Sequence, residues 1–181
     1  MRAFIAIELP ESLRAALGQA QQAFRSACPE ARWTRPDSIH LTLKFLGEIS
    51  DAQVKQAMEG LARVSFEPFS VEIKGFGFFP QKRRPHVFWA GVAAPPALGE
   101  LAARVEGEME KAGFLREQRV FTPHLTLARF EVPRPQPGLE AALARQEPTS
   151  LGSFTASEFF LFESKLSPQG AVHRKVLRFP R

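Results

Sequence analysis

The chain contains one cysteine, Cys28, no tyrosine and no asparagine. A lone thiol can neither close an internal disulfide nor build a cysteine-rich metal site, which favours a reducing compartment. Without asparagine there is no acceptor for N-linked glycans. No uninterrupted apolar run approaches the ~20 residues needed to cross a bilayer, and Met1 to Glu8 leads directly into a strand-like segment rather than a cleavable leader. A soluble, cytoplasmic protein without membrane association is therefore expected. Several catalytic signatures are also missing. No His-Glu-x-x-His or Cys-x-x-Cys spacing offers a zinc site, and no Gly-x-Ser-x-Gly elbow offers a serine nucleophile. Cys28 falls at the end of a predicted helix, with no recognisable activating partner.

What is present is ordinary in amount. Across 181 residues the hydrophobic share is 44% and the charged share 24%, as in globular rather than disordered chains. Twenty-four Lys and Arg against nineteen Asp and Glu give a net charge of +5, which suits an anionic partner without requiring one. Seventeen phenylalanines and two tryptophans supply all the aromatics.

Along the chain, Ala3-Phe4-Ile5-Ala6-Ile7 reads as a short buried strand. Leu13, Leu17, Ala20, Phe24 and Ala27 then share one helical face, with Pro29 just beyond it. From Ile39 to Phe45 apolar and polar residues alternate with the period of a strand. Ser50 and Gln53 form a candidate capping box ahead of a second helix carrying Val54, Ala57, Met58 and Leu61, and Val71 and Ile73 head a further strand ending near Pro80. The second half repeats the order: Val87 to Ala90 as strand, Leu98 to Met109 as a helical face closed by Gly113, His124 to Phe130 as strand, a short helix over 139–144, and strand character from Phe154 to Phe162.

Phe4 and Phe88 stand 84 positions apart, and so do His40 and His124. This register predicts an internal duplication of a strand-helix-strand-helix-strand unit, with approximate repeats over 1–80 and 84–163 and a closing hairpin over 164–181, within one bilobal domain spanning 1–181. The predicted fold is α+β: two antiparallel sheets flank a central groove with helices outside, unlike a doubly wound parallel sheet.

The sharpest features are His40-Leu41-Thr42-Leu43 and His124-Leu125-Thr126-Leu127. On a strand, His and Thr two apart share a face while the leucines anchor the other. Placed about a pseudo-twofold axis, the tetrads bring two imidazoles and two hydroxyls to one groove. That set suits phosphoryl transfer, in which one group removes a proton from the attacking oxygen and another protonates the leaving oxygen. With an unperturbed pKa of ~6.5, histidine serves either role near neutral pH. The Thr42 and Thr126 hydroxyls can donate to phosphate oxygens, and the scheme requires neither metal nor cofactor.

At these residues the chain resembles the two-histidine (2H) phosphoesterases, specifically the bacterial RNA 2′,3′-cyclic phosphodiesterases, historically called 2′-5′ RNA ligases. The resemblance rests on Phe4-Ile5-Ala6-Ile7, on Arg32-Trp33 through Gly47-Glu48, and on Phe121-Thr122-Pro123-His124 through Arg129. It implies a bilobal fold and an RNA or oligonucleotide substrate ending in a 2′,3′-cyclic phosphate, hydrolysed to a 2′-phosphate. In some members it also implies reversible 2′-5′ joining. Carried across, His124 is the proton acceptor and His40 the proton donor, and Thr42, Thr126 and Arg129 hold the phosphate. The near-symmetric tetrads do not themselves distinguish acid from base. Strict alternation places Arg129 on the face opposite His124, so a bulge or twist must turn it into the groove. A monomer is expected.

Secondary candidates are Lys44, which alternation puts beside His40 and Thr42, and Trp33, which with an aromatic loop at Phe76-Gly77-Phe78-Phe79 could stack bases near Lys82, Arg83 and Arg84. Taken singly, these aromatics read better as core packing and the basic run as a solvated turn. His173 stands where relatives often carry Tyr; it could substitute as a hydrogen-bond donor, but the favoured reading is an exposed strand residue, and His86 reads as a loop residue. Two other readings stay open at this level: a zinc hydrolase, poorly served by one strong ligand per tetrad, and a noncatalytic RNA-binding module, which charge and aromatics also fit.

Overall fold

The computed structural model describes residues 1–146, 150–168 and 170–180. Gln169 and Arg181, in the segment predicted as a closing hairpin, lie outside the described residues. The first half runs β1 (Arg2–Glu8), α1 (Glu11–Arg25), β2 (Arg32–Trp33), a 3₁₀ turn (Pro36–Ser38), β3 (His40–Glu48), α2 (Asp51–Leu61) and β4 (Phe69–Phe79). The second runs β5 (Val87–Ala93), α3 (Pro96–Lys111), β6 (His124–Arg129), α4 (Pro137–Ala144), β7 (Ser150–Ala156), β8 (Phe159–Ser167) and β9 (Gly170–Phe179).

Local chemistry explains the helix limits. In α1, Leu13, Leu17 and Phe24 recur at helical spacing and are fully or nearly fully buried. The capping box of α2 is formed as predicted: Ser50 Oγ accepts from the Gln53 amide, and the Gln53 side chain accepts from the Ser50 amide. In α3, Leu98, Leu101, Ala102, Val105 and Met109 make one buried face, and Gly113 follows at a positive φ of 89°. No helix among the described residues is long and apolar enough to cross a membrane.

The strands form two antiparallel sheets, ordered β3-β1-β8-β9 and β2-β6-β5-β4-β7. Apart from β2 the two orders correspond, with β3-β1-β8-β9 matching β6-β5-β4-β7. The lobes are nevertheless not the two halves of the chain. β4 from the first half pairs with β5, while β8 from the second half pairs with β1. Helices cross over as well: Phe24 of α1 packs edge-on against Phe76 and Phe88 of the second sheet, and α3 packs near β3 of the first. A two-stranded hairpin alone is marginal in water, and this exchange builds sheets of four and five strands. Burying a large apolar side chain contributes about 1.5–3 kcal/mol. Phe24 and Phe88, both fully buried, therefore fix α1 on the second sheet. One main core cluster runs through both lobes.

Candidate active site

Both tetrads open their strands, and β3 lies against β6 where the lobes meet. On β3, His40 and Thr42 oppose Glu8 and Ala6 of β1, but the next pair is Lys44 with Ile5, so Leu43 is an extra residue. On β6, Thr126 opposes Trp89 while Ala128 opposes Phe88, so Leu127 is an extra residue there. One inserted residue inverts the faces taken by everything after it. Leu43 and Lys44 are accordingly both buried, as are Leu127 and Ala128. The residues that follow, Phe45 and Arg129, turn back to the face of the histidines.

This pair of bulges changes the faces expected for two residues, in opposite ways. Arg129 reaches the groove face that strict alternation denied it. Lys44 does not join His40 and Thr42, because the bulge turns it toward α3. There its Nζ donates to Glu106 Oε1 at 2.6 Å and to the Leu115 carbonyl at 3.0 Å.

The two histidines are held alike. His40 Nδ1 lies 3.1 Å from the Ser38 carbonyl, and His124 Nδ1 lies 2.8 Å from the Thr122 carbonyl. A carbonyl only accepts, so each contact places a proton on Nδ1 and leaves Nε2 free for chemistry. Their surroundings differ. His40 is 8% exposed, with the Phe162 ring at 4.5 Å and the Phe4 ring at 5.8 Å. Burial, then the neighbouring His173, push its pKa down to about 4 against the opposing pull of the Ser38 carbonyl and Glu8. His124 is half-buried, edge-on to Phe79 at 4.9 Å; its pKa is lowered by burial, with Arg129 adding to the effect.

Electrostatics joins the two walls. Arg129 acts on His124, and Arg2 of β1 depresses the pKa of both Arg129 and His173, in each case after burial. His173 in turn sits with its Nδ1 3.3 Å from His40 Nδ1. Arg129, Arg2 and His173 are thus coupled through their charges between the two tetrads. Among the described residues, no cluster of three or more His, Cys, Asp or Glu side chains is placed to hold a metal ion.

Other candidates are redistributed. Trp33 does not line the groove: it opposes Ala128 on β6, its ring packs on Phe88, and its Nε1 donates to the Cys28 carbonyl. The reason is again the β6 bulge, which turns Ala128 and its neighbour toward the helices. Phe76 to Phe79 form the end of β4 rather than a loop. Phe76 and Phe78 pack on Phe88, whereas Phe79 contacts both Trp89 and His124. Lys82 pairs with Glu140 at 3.0 Å, while Arg83 and Arg84 are exposed in the following turn. His173, read as an exposed strand residue, is instead half-buried against His40 and Phe4.

Sequence reasoning missed Arg2, Phe45 and Trp89. Phe45 stands 84 positions before Arg129, so the duplication register alone could have found it. Trp89 opposes both Thr126 and Gly77. A Cβ at Gly77 would fall within its indole, so only glycine there lets the ring lie over β4.

Comparison with known proteins agrees with this geometry. The model of the LigT-like phosphoesterase family matches the chain twice, over residues 7–89 and 92–173. The RNA 2′,3′-cyclic phosphodiesterase of Methanothermobacter thermautotrophicus is 33% identical over 176 residues, covering 96% of this chain and 95% of that protein. The RNA 2′,3′-cyclic phosphodiesterase of Thermus thermophilus is 34% identical over 193 residues, covering 99% and 89%. Among solved structures, TT0787 of Thermus thermophilus superposes with a TM-score of 0.81 at 30% identity over 99% of this chain and 97% of that one. Escherichia coli LigT complexed with 3′-AMP gives 0.78 at 26% identity over 98% and 96%.

Proposed function

This chain is an enzyme of the LigT-like phosphoesterase family, and from that premise we propose that it hydrolyses RNA 2′,3′-cyclic phosphate ends to 2′-phosphates by metal-independent catalysis between His40 and His124. The observation that carries the reading is the matched pair of bulged tetrads. Each leaves one histidine Nε2 free beside a threonine hydroxyl, and one of them adds an arginine.

In this mechanism water attacks phosphorus as His124 Nε2 takes its proton, and the P–O3′ bond breaks as His40 Nε2–H protonates O3′. A 3′-hydroxyl and a 2′-phosphate result. Thr42 and Thr126 donate to the non-bridging oxygens, and Arg129 offsets the negative charge that grows on them. Replacing water by an RNA 5′-hydroxyl in the same displacement gives a 2′-5′ linkage, which is the joining reaction.

One feature supports this division of roles, and one sets a condition on it. Burial, with the cationic Arg129 adding to it, favours the neutral form of His124, as a base requires. His40 is also neutral in the free protein at neutral pH, since its pKa is about 4. A bound phosphodiester anion reverses the balance by favouring the imidazolium, so the acid gains its proton together with the substrate. Phe45, 66% exposed beside Phe4, offers a flat apolar face for the terminal base.

The test is incubation of an RNA carrying a 2′,3′-cyclic phosphate end in excess chelator, followed by identification of the terminus. A 2′-phosphate supports the reading. A 3′-phosphate reverses the cleavage direction, and an intact cyclic end on RNA that still binds indicates a noncatalytic RNA-binding module.

A further inference from the structure

Three histidines, not two, meet in this groove, and the third has no counterpart in the other lobe. His173 of β9 opposes Ser164 of β8, and its ring reaches back across the first sheet to His40, with ring centroids 5.1 Å apart and the two Nδ1 atoms 3.3 Å apart. Phe4 meets both imidazoles edge-on, at 5.8 Å from His40 and 4.8 Å from His173, and so fixes their mutual orientation.

Two nitrogens at that distance form a hydrogen bond only if one carries the proton and the other a lone pair. The Ser38 carbonyl settles which is which, because it already requires a proton on His40 Nδ1. His173 must therefore be the acceptor, with its own proton on Nε2. We propose that His173 is a positioning residue for the general acid, accepting the His40 Nδ1–H through its Nδ1 lone pair and thereby favouring the charged, proton-donating form of His40. The inference rests on the catalytic reading given above.

The chemistry balances without another reagent. Charged His40 carries protons on both nitrogens, shares the Nδ1 proton between Ser38 and His173, and gives the Nε2 proton to O3′. What remains is the neutral Nδ1–H form that Ser38 already holds. A hydrogen bond from a charged donor is about twice as strong as one from a neutral donor, so His173 stabilises the acid form over its spent form. The orienting group in this pair is neutral, unlike a carboxylate, and it fails when it gains a proton of its own. A proton on His173 Nδ1 would face the proton on His40 Nδ1. Burial, then Arg2 of β1, lower the pKa of His173 and keep it a neutral acceptor. Beyond burial, it is a charged His173 that, like Arg14 of α1, lowers the pKa of His40, while the Ser38 carbonyl and Glu8 of β1 pull it the other way. Lys175 of β9 is held by Glu8 at 2.9 Å. The pair therefore holds one shared proton between its two Nδ1 atoms and resists a second.

Asparagine at 173 can present its amide oxygen near the place of the imidazole Nδ1, whereas phenylalanine fills the space without an acceptor. His173→Phe should lower kcat about tenfold with KM within twofold, and should move the alkaline limb of the pH–rate profile acidward by about one pH unit. His173→Asn should keep kcat within threefold of wild type and leave that limb in place. Unchanged kcat and limb in His173→Phe, or equal loss in both variants, would overturn the proposal. Histidine ¹⁵N spectra of the unmodified, substrate-free protein at pH 7 give a readout independent of turnover. They should show His40 Nδ1 protonated and His173 Nδ1 bare, and a protonated His173 Nδ1 would equally overturn it. If the wild-type protein leaves the cyclic end intact, the catalytic reading falls while these spectra still decide the hydrogen bond.

Discussion

The first tetrad and the second are built from the same parts, yet one is enclosed and the other open. Ser38 and Thr122 orient the histidines, Thr42 and Thr126 follow, and Leu43 and Leu127 make the bulges, each pair 84 positions apart. The symmetry breaks just beyond. Lys44 forms a buried ion pair where its counterpart is the buried Ala128, and Phe45 occupies the groove position that Arg129 occupies in the other lobe. Packing differs too: His40 is wrapped by Phe4, Phe162 and His173, whereas His124 has Phe79 and the arginine. A repeated frame supplies two equivalent nitrogens, and their unequal neighbours give them the different surroundings that the proposed donor and acceptor roles require.

The largest effect tests what the tetrads share. His40→Ala and His124→Ala should each lower kcat by roughly 10³-fold or more, at the upper end of what general acid–base groups contribute. Because the two groups act in one step, the double variant should lose far less than the product of the single losses. Single-turnover cleavage of a cyclic-ended RNA measures this, and near wild-type rates in both single variants would remove the catalytic role. The next effect tests the asymmetry. Arg129→Ala should lower kcat/KM about 10²-fold with the loss mainly in kcat, since its charge is needed most as negative charge accumulates. Phe45→Ala should raise KM roughly tenfold with kcat little changed, in line with the ~1–3 kcal/mol that stacking of one base contributes. Equal kcat losses in the two variants would mean that the unlike positions do the same work.

Acidity separates the two histidines more finely. The folded pKa of His40, about 4, lies below the ~6.5 of an unperturbed imidazole. The unfolded chain therefore binds a proton first as pH falls. Stability is fully present above pH ~6.5 and is lost progressively down to about pH 4, by roughly 3 kcal/mol at most. His40→Asn should flatten this part of the curve measured by denaturant unfolding. His124 is lowered as well, so His124→Asn should flatten it in the same direction but less, given its half-buried site. The opposite ranking would place the stronger burial effect in the wrong lobe.

Much of this site was legible from the chain itself, because the tetrads and their spacing depend only on strand period and register. The class of fold followed from the alternation of strand and helix patterns. Two things were hidden for physical reasons. A bulge is one extra residue in a strand whose composition does not change, so nothing in Leu43-Lys44 or Leu127-Ala128 announced that the faces invert. Long-range strand partners were equally hidden: β8 joins β1, and only that exchange carries β9 and His173 to His40. Lys44 was misplaced and His173 underrated for those two reasons.

Lys44 tests the bulge itself at a lower level of effect. Lys44→Met removes one member of a buried pair and leaves Glu106 without its cation, which should destabilise the fold by about 3 kcal/mol. Adding Glu106→Gln should recover part of that loss. The kcat should stay within twofold in both, because the side chain faces α3; a large kcat loss at full stability would return Lys44 to the groove.

The smallest effect lies farthest from the tetrads. Lys82 is already paired with Glu140, so any electrostatic help that the β4–β5 turn gives to RNA falls to the exposed Arg83 and Arg84. Each phosphate contact made by a cation contributes about 0.7 to the slope of log affinity against log salt for a single strand. By that measure, Arg83→Gln with Arg84→Gln should reduce the slope by at most about 1.4 and weaken binding of longer RNAs. A mononucleoside 2′,3′-cyclic phosphate, which carries no upstream phosphate, should be turned over as before. An unchanged salt slope would remove the turn from the RNA path. A loss on the mononucleotide would mean that these arginines act on the tetrads rather than on the strand that leads into them.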